Sequence, residues 1–123
     1  MTVFDKESQV KQVQPFIIPG ETLHAVFDCK GSATGFVGIT NKRLMFYDKA
    51  FLRKKKALTS VPFSQITSVS SIDNGKGLFE WRATSELAIR AGAQDYEFEF
   101  HGGEKAQQAY GFIMTELLQN EPS

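Results

Sequence analysis

The chain has 123 residues, 41% of them hydrophobic, and 14 Lys/Arg balance 14 Asp/Glu. That length and apolar content suit one domain with a real core and argue against a disordered chain. A net charge of zero argues against a dedicated nucleic-acid binder, so no nucleic-acid partner is expected.

Residues 5–14 are polar and read as a short helix with Asp5 as its N-cap, ended by Pro15. Pro19-Gly20 marks a turn. From Thr22 the period becomes two. Leu23, Ala25, Phe27 and Cys29 form the apolar face of a strand, and His24, Val26, Asp28 and Lys30 the other face. Residues 36–40 and 43–48 read as strands, with Asn41-Lys42 as a two-residue hairpin turn in left-handed geometry. Lys49 to Lys56 is a basic loop. Residues 57–63 form a strand whose Pro62 suggests an edge or a bulge, and residues 65–72 another.

Asn74-Gly75 is a hairpin signal. Strands then follow over 78–84, 87–90 and 95–101. In the last, Tyr96, Phe98 and Phe100 point inward and Asp95, Glu97 and Glu99 outward. After Gly102-Gly103 the period changes to 3.6. Ala106, Ala109, Tyr110, Ile113, Met114, Leu117 and Leu118 make one stripe of an amphipathic helix. About seven short strands closed by one helix imply a strongly bent antiparallel sheet or partly open barrel, with the helix over an end or open corner. The fold class is mainly β (α+β). The expected division is an N-terminal helical extension over 1–18, the barrel domain over 19–120 and a tail over 121–123.

This order resembles the bacterial pleckstrin-homology-like (PH-like) family. Thr40-Asn41-Lys42-Arg43-Leu44-Met45-Phe46-Tyr47 is similar to its "T-N-x-R-L-x-F-Y" hairpin, and Pro19-Gly20-Glu21 stands just before the first strand. The stretch from Ser60 to Val69 resembles its "S-I-P-hydrophobic-x-x-I-x-S-V" segment, and the late strand Tyr96 to Phe100 followed by a helix also fits. The resemblance covers residues 17–119. It implies a bent antiparallel seven-stranded barrel with a C-terminal helix. It also implies an intracellular adaptor or assembly domain, often homo-oligomeric. Eukaryotic relatives often bind phosphoinositides through basic residues in the loop between the first two strands. Here that loop, Lys30-Gly31-Ser32-Ala33-Thr34, holds one lysine, so the headgroup site does not carry over.

The chain offers little to catalysis, and no enzyme, cofactor or metal is expected. His24 and His101 are far apart, and with Cys29 they fall short of the four convergent donors of a zinc site. Cys29 reads as a buried small hydrophobe rather than a reactive thiol. The glycine-bearing loop after Lys30 lacks the Gly-Lys-Ser/Thr ending of a phosphate loop. Strand alternation fully explains Glu97 and Glu99. Trp81 beside Arg82 reads as core or interface. The N-terminus has no signal-peptide pattern, and no apolar run approaches the ~20 residues of a membrane span. The expected location is cytoplasmic, with peripheral attachment to the inner membrane as the alternative.

Charge is the distinctive feature. Residues 1–63 carry ten Lys/Arg against five Asp/Glu, and residues 64–123 carry four against nine. Lys49, Arg53, Lys54, Lys55 and Lys56 concentrate the excess, with Phe51 and Leu52 among them. This loop is the candidate binding element. Three uses stay open: a solvated loop that guards a sheet edge, a contact with another protein or a second copy, and a tether to an anionic bilayer. In the second, the loop of one copy meets the Glu97 and Glu99 face of the next, a head-to-tail contact that closes into rings or runs on. The expected function is therefore a non-catalytic interaction or assembly module that self-associates. Anionic-lipid binding is the alternative.

Overall fold

A computed structural model describes residues 1–30, 35–47, 58–74 and 83–119. The basic loop at 49–56, the loop residues 31–34, the stretch 75–82 with Trp81, and the tail from 120 lie outside the described residues. In the first sheet, β1 (Val3–Phe4), β2 (Leu23–Asp28), β3 (Phe36–Thr40), β4 (Arg43–Tyr47) and β5 (Leu58–Pro62) lie side by side in that order. In the second, β6 (Ile66–Asp73) pairs with β7 (Thr84–Ala91), and β7 with β8 (Gln94–His101). A 3-10 turn, Phe63–Gln65, joins the sheets. Helix α1 (Glu7–Val13) lies near the N-terminus, and α2 (Lys105–Gln119) closes the domain.

Six of the seven antiparallel strands, β2–β6 and β8, are those the patterning led one to expect, and β5 with its Pro62 is an edge strand; most of the strand expected over 78–84 lies outside the described residues. The sheets meet at one corner, where Cys29 bridges to Phe100 and the Lys30 N–H donates to the Glu99 carbonyl at 2.7 Å. At the other corner β5 and β6 do not pair, and α2 lies over the gap. The result is a bent, partly open barrel.

The main core sits between the two sheets and α2. Phe27, Ile39, Leu44, Leu87, Ile89 and Phe100 are almost fully buried there. Ala106, Ala109 and Ile113 of the helix stripe are fully buried, and the two alanines bring the helix close. Burying one side chain of Ile size contributes roughly 1.5–3 kcal/mol. Tyr110 and Leu117 only rim this core, and Leu118 is 60% exposed.

A second core occupies the opposite face of the first sheet. Val10 and Val13 of α1 pack with Val26, Phe36 and Met45. Val26 was expected to face outward but is fully buried. Helix α1 and Ile17 cover that face, so β2 and β3 are buried on both sides and alternation loses its meaning. A bulge adds a second departure. Leu23 opposes Thr40 and Ala25 opposes Ile39, which leaves His24 as an extra residue. It puts Leu23 toward α1 and turns His24 toward α2. There the imidazole stacks on Phe112 at 5.8 Å and sits 2.9 Å from a Glu116 oxygen.

Asp5 is not the cap of α1. The N-cap is Lys6, without a side-chain hydrogen bond. The Asp5 carboxylate instead accepts from the Asp28 N–H at 2.9 Å and pairs with Lys105 at 2.6 Å, tying the N-terminus to β2 and α2. The break expected between strands at 85–86 is also absent. Thr84 opens β7, which runs unbroken to Ala91. Ser85 faces inward because its hydroxyl has partners there: it donates to the Gly102 carbonyl at 2.8 Å and accepts from the Ala106 N–H at 3.0 Å. A residue of β7 thus satisfies an otherwise orphaned N–H at the start of α2.

Candidate functional site: a locked hairpin, an acidic face and an open corner

The motifs that stood out in the sequence converge in space. Pro19-Gly20 forms a turn closed by the Glu21 N–H on the Ile18 carbonyl at 3.0 Å. Gly20 has φ +85°, the left-handed value that a type II turn needs at that position. The turn delivers Glu21 to the β3–β4 hairpin. One carboxylate oxygen of Glu21 accepts from Arg43 Nε (2.8 Å) and the Thr40 hydroxyl (2.7 Å). The other accepts from Arg43 Nη2 (2.8 Å) and the Ile18 N–H (3.2 Å). Arg43 also donates to the Phe16 carbonyl (2.6 Å) and the Ser60 hydroxyl (3.0 Å).

The Glu21 side chain is fully buried, and Arg43 is mostly buried. Hydrogen bonding from Arg43 outweighs desolvation and holds the Glu21 carboxyl down at about 2. The same bonding raises the already high pKa of Arg43. Both oxygens are spent within the protein. This is a structural lock across three chain segments, with nothing left to offer a ligand.

The turn inside the hairpin differs from the expectation. No non-glycine residue among those described has positive φ, so Asn41-Lys42 is not a left-handed two-residue turn. The Thr40 hydroxyl accepts the N–H groups of Lys42 (2.9 Å) and Arg43 (3.0 Å) and holds the turn from within. Asn41 serves elsewhere, accepting the Thr22 N–H at 2.9 Å.

The outer face of the second sheet is acidic. Glu97 is exposed and Glu99 half-buried on β8, as their alternation indicates. The register adds a residue that sequence reading missed: Glu86 of β7 stands directly opposite Glu99. Like charges directly opposite on a sheet are destabilising. Among the described residues none of the three carboxylates has an ion-pair partner, whereas their neighbour Asp95 pairs with Arg90 at 3.3 Å. Only strand register reveals Glu86, because the polar Ser85-Glu86 pair looks like a strand break.

The third surface is a groove of about 700 Å³ at the open corner. Phe63, Ile66 and Val69 line one side, and Tyr110, Met114 and Leu117 of α2 the other. Leu118 and Lys42 stand at its rim. Neither the acidic face nor the groove contains Cys29. Burial, with Asp28 and Asp5 nearby, pushes that thiol up to about 12 and leaves it inert as a nucleophile. Among the described residues no three His, Cys, Asp or Glu side chains gather as a metal-ligand set, and no helix is long and apolar enough to cross a membrane.

The comparisons agree with this architecture. The family model described as Bacterial PH domain matches residues 1–117. A pleckstrin homology domain from Shewanella amazonensis is similar in structure, with TM-score 0.65 and 20% identity over 93% of this chain and 99% of that one. A second protein, from Shewanella loihica and carrying a pleckstrin-homology domain, gives TM-score 0.60 and 20% identity over 92% and 93%. At that identity the likeness is one of fold. No curated protein matches the sequence. Neither the family nor these structures carries an enzymatic name.

Proposed function

The chain belongs to the bacterial PH domain family, and from that premise we propose that it is a non-catalytic assembly module that self-associates through opposite charges. The observation that carries this reading is the acidic face. Glu86, Glu97 and Glu99 share one sheet surface, with no cationic partner among the described residues. The same chain concentrates five cations between Lys49 and Lys56. A cross-strand Glu86–Glu99 pair weakens the isolated fold slightly, and a basic segment from a second copy relieves that repulsion. The contact is head-to-tail, because the two charged regions differ, so it closes into a ring or propagates.

Light scattering tests this. The expected result is a mass several times the monomer's that falls as salt rises. Reversing charge in Lys54→Glu/Lys55→Glu dissociates the assembly, and adding Glu97→Lys/Glu99→Lys to the same chain restores it. A strict monomer at micromolar concentration and low salt overturns the reading.

The basic segment with Phe51 and Leu52 also suits an anionic lipid surface. Five cations at ~1 kcal/mol each give ~5 kcal/mol, a dissociation constant of order 10⁻⁴ M, so stable attachment calls for avidity. Sedimentation with anionic vesicles, lost in Lys54→Glu/Lys55→Glu/Lys56→Glu and absent with neutral vesicles, separates this use from self-association.

A further inference from the structure

The acidic face and the open corner leave the other flank of α2 untouched. Gln108, Gly111, Phe112, Thr115 and Glu116 have the spacing of neighbours on one side of a helix, away from the groove. With His24 of β2 and Val3 of β1 they enclose a cavity of about 630 Å³. That size is usual for small-molecule sites.

Three features of this cavity specify an occupant. The first is the bulge. His24 is its extra residue, and bulges commonly re-aim one side chain beside a functional site. The imidazole lies nearly parallel to the Phe112 ring, at 10°, so the two form an offset pair of flat faces. Val3, 43% exposed, adds an apolar wall.

The second is the chemistry of that ring. A carboxylate can only accept, so Glu116, 2.9 Å from Nε2, fixes the proton of the neutral imidazole there. The lone pair is then on Nδ1, which has no partner among the described residues. The third feature is Gly111, exposed in the middle of α2. Glycine is a poor helix former, and a Cβ at this position would meet nothing within 4 Å. Neither packing nor a positive φ calls for glycine here; its effect is to keep the cavity open.

A stacked pair of rings selects a flat aromatic partner, and a free acceptor beside it selects a donor. Glu116 in the wall, with no Lys or Arg among the lining residues, disfavours an anion. One imidazole and one carboxylate are too few to hold a metal ion. We propose that this cavity binds a small aromatic molecule of the indole or phenol class, which carries an N–H or O–H donor and no negative charge. Its ring packs against Phe112, His24 and Val3, and its donor bonds to His24 Nδ1.

The test uses the full chain, labelled with ¹⁵N for NMR, and indole as the probe. Titration to millimolar indole is expected to give saturable shifts of the His24 ring nitrogens and of the Gly111 and Thr115 amides. 1-Methylindole, the same ring without the donor, binds about tenfold more weakly, a loss of ~1.4 kcal/mol. Indole-3-acetate, an anion, also binds more weakly than indole. His24→Phe keeps a flat ring and removes the acceptor, and indole then binds no better than 1-methylindole. Gly111→Leu fills the cavity and abolishes binding, while the melting temperature holds or rises. Lys54→Glu/Lys55→Glu leaves indole binding unchanged, so this inference and the charge-driven assembly stand or fall separately. No saturable shift with either indole or phenol overturns the proposal. So does equal binding of indole and 1-methylindole, or of indole and indole-3-acetate, by the wild type. A Gly111→Leu chain that still binds indole, or that melts well below the wild type, also overturns it.

Discussion

At the β3–β4 hairpin, polar groups are buried and paired on every side. A few residues away, along β6 and α2, apolar groups lie at the surface and β6 pairs on one side only among the described residues. Asn41 and Lys42 belong to the first region and line the second. The hairpin holds the sequence signatures that attract attention, yet its Arg43 is consumed in bonding Glu21. The corner has almost no signature, because Ser, Thr, Val and Ile are ordinary strand residues, yet it is the part with bonding capacity to spare. Prominence in a sequence can mark a constraint of folding as readily as a place of contact.

The sharpest way to break the contrast is to open the lock. Arg43→Leu leaves the Glu21 carboxylate buried without its main partner, and the expected cost is roughly 3–5 kcal/mol in urea unfolding. A loss under about 1 kcal/mol, the scale of an exposed pair, shows that the lock is ornamental. The lock also has a pH signature. The folded pKa of Glu21, about 2, lies below the ordinary 4.5. Its stabilisation is therefore complete above 4.5 and is lost as pH falls from there through about 2. Thermal melts from pH 6 downward show this loss in the wild type, and Glu21→Gln flattens it.

Ser85→Ala comes next. It strips both the Gly102 carbonyl and the Ala106 N–H of a buried partner and is expected to cost about 1–3 kcal/mol, read as a lower urea midpoint. The acidic face has the opposite sign. Glu99→Gln relieves the cross-strand repulsion and stabilises the isolated fold by a few tenths of a kcal/mol, while it weakens the proposed assembly in light scattering. At the corner, Leu118→Asp leaves unfolding within about 0.5 kcal/mol of wild type, since that side chain packs on nothing it needs. A large loss there would mean that the corner is core after all.

Strands β2–β5, β6 and β8 and the stripe of α2 were legible because each depends on short-range periodicity, which the chain writes directly. Faces were legible only where a strand has one buried side. Phe98 and Phe100 turned inward as expected, but Val26 did not turn outward, because α1 supplies a second apolar layer. The left-handed turn expected at Asn41 failed for a related reason. The Thr40 hydroxyl holds the Lys42 and Arg43 N–H groups, while the distant Thr22 backbone engages the Asn41 side chain and N–H.

The sequence by itself determined the period of most elements, the order of most strands and the closing helix, and an uneven charge along a neutral chain. Periodicity and composition are local quantities, so no fold is needed to read them. Tertiary structure decided that Pro19-Gly20-Glu21 and the Thr40 to Arg43 hairpin are two parts of one lock. It decided that Glu86 joins Glu99 on one face, that Ser85 caps the distant closing helix, and that β6, among the described residues, pairs with β7 alone beside a half-filled groove. Each of these is set by which residues far apart in the chain are brought within bonding distance, and register and packing fix that only when the sheets have folded against each other.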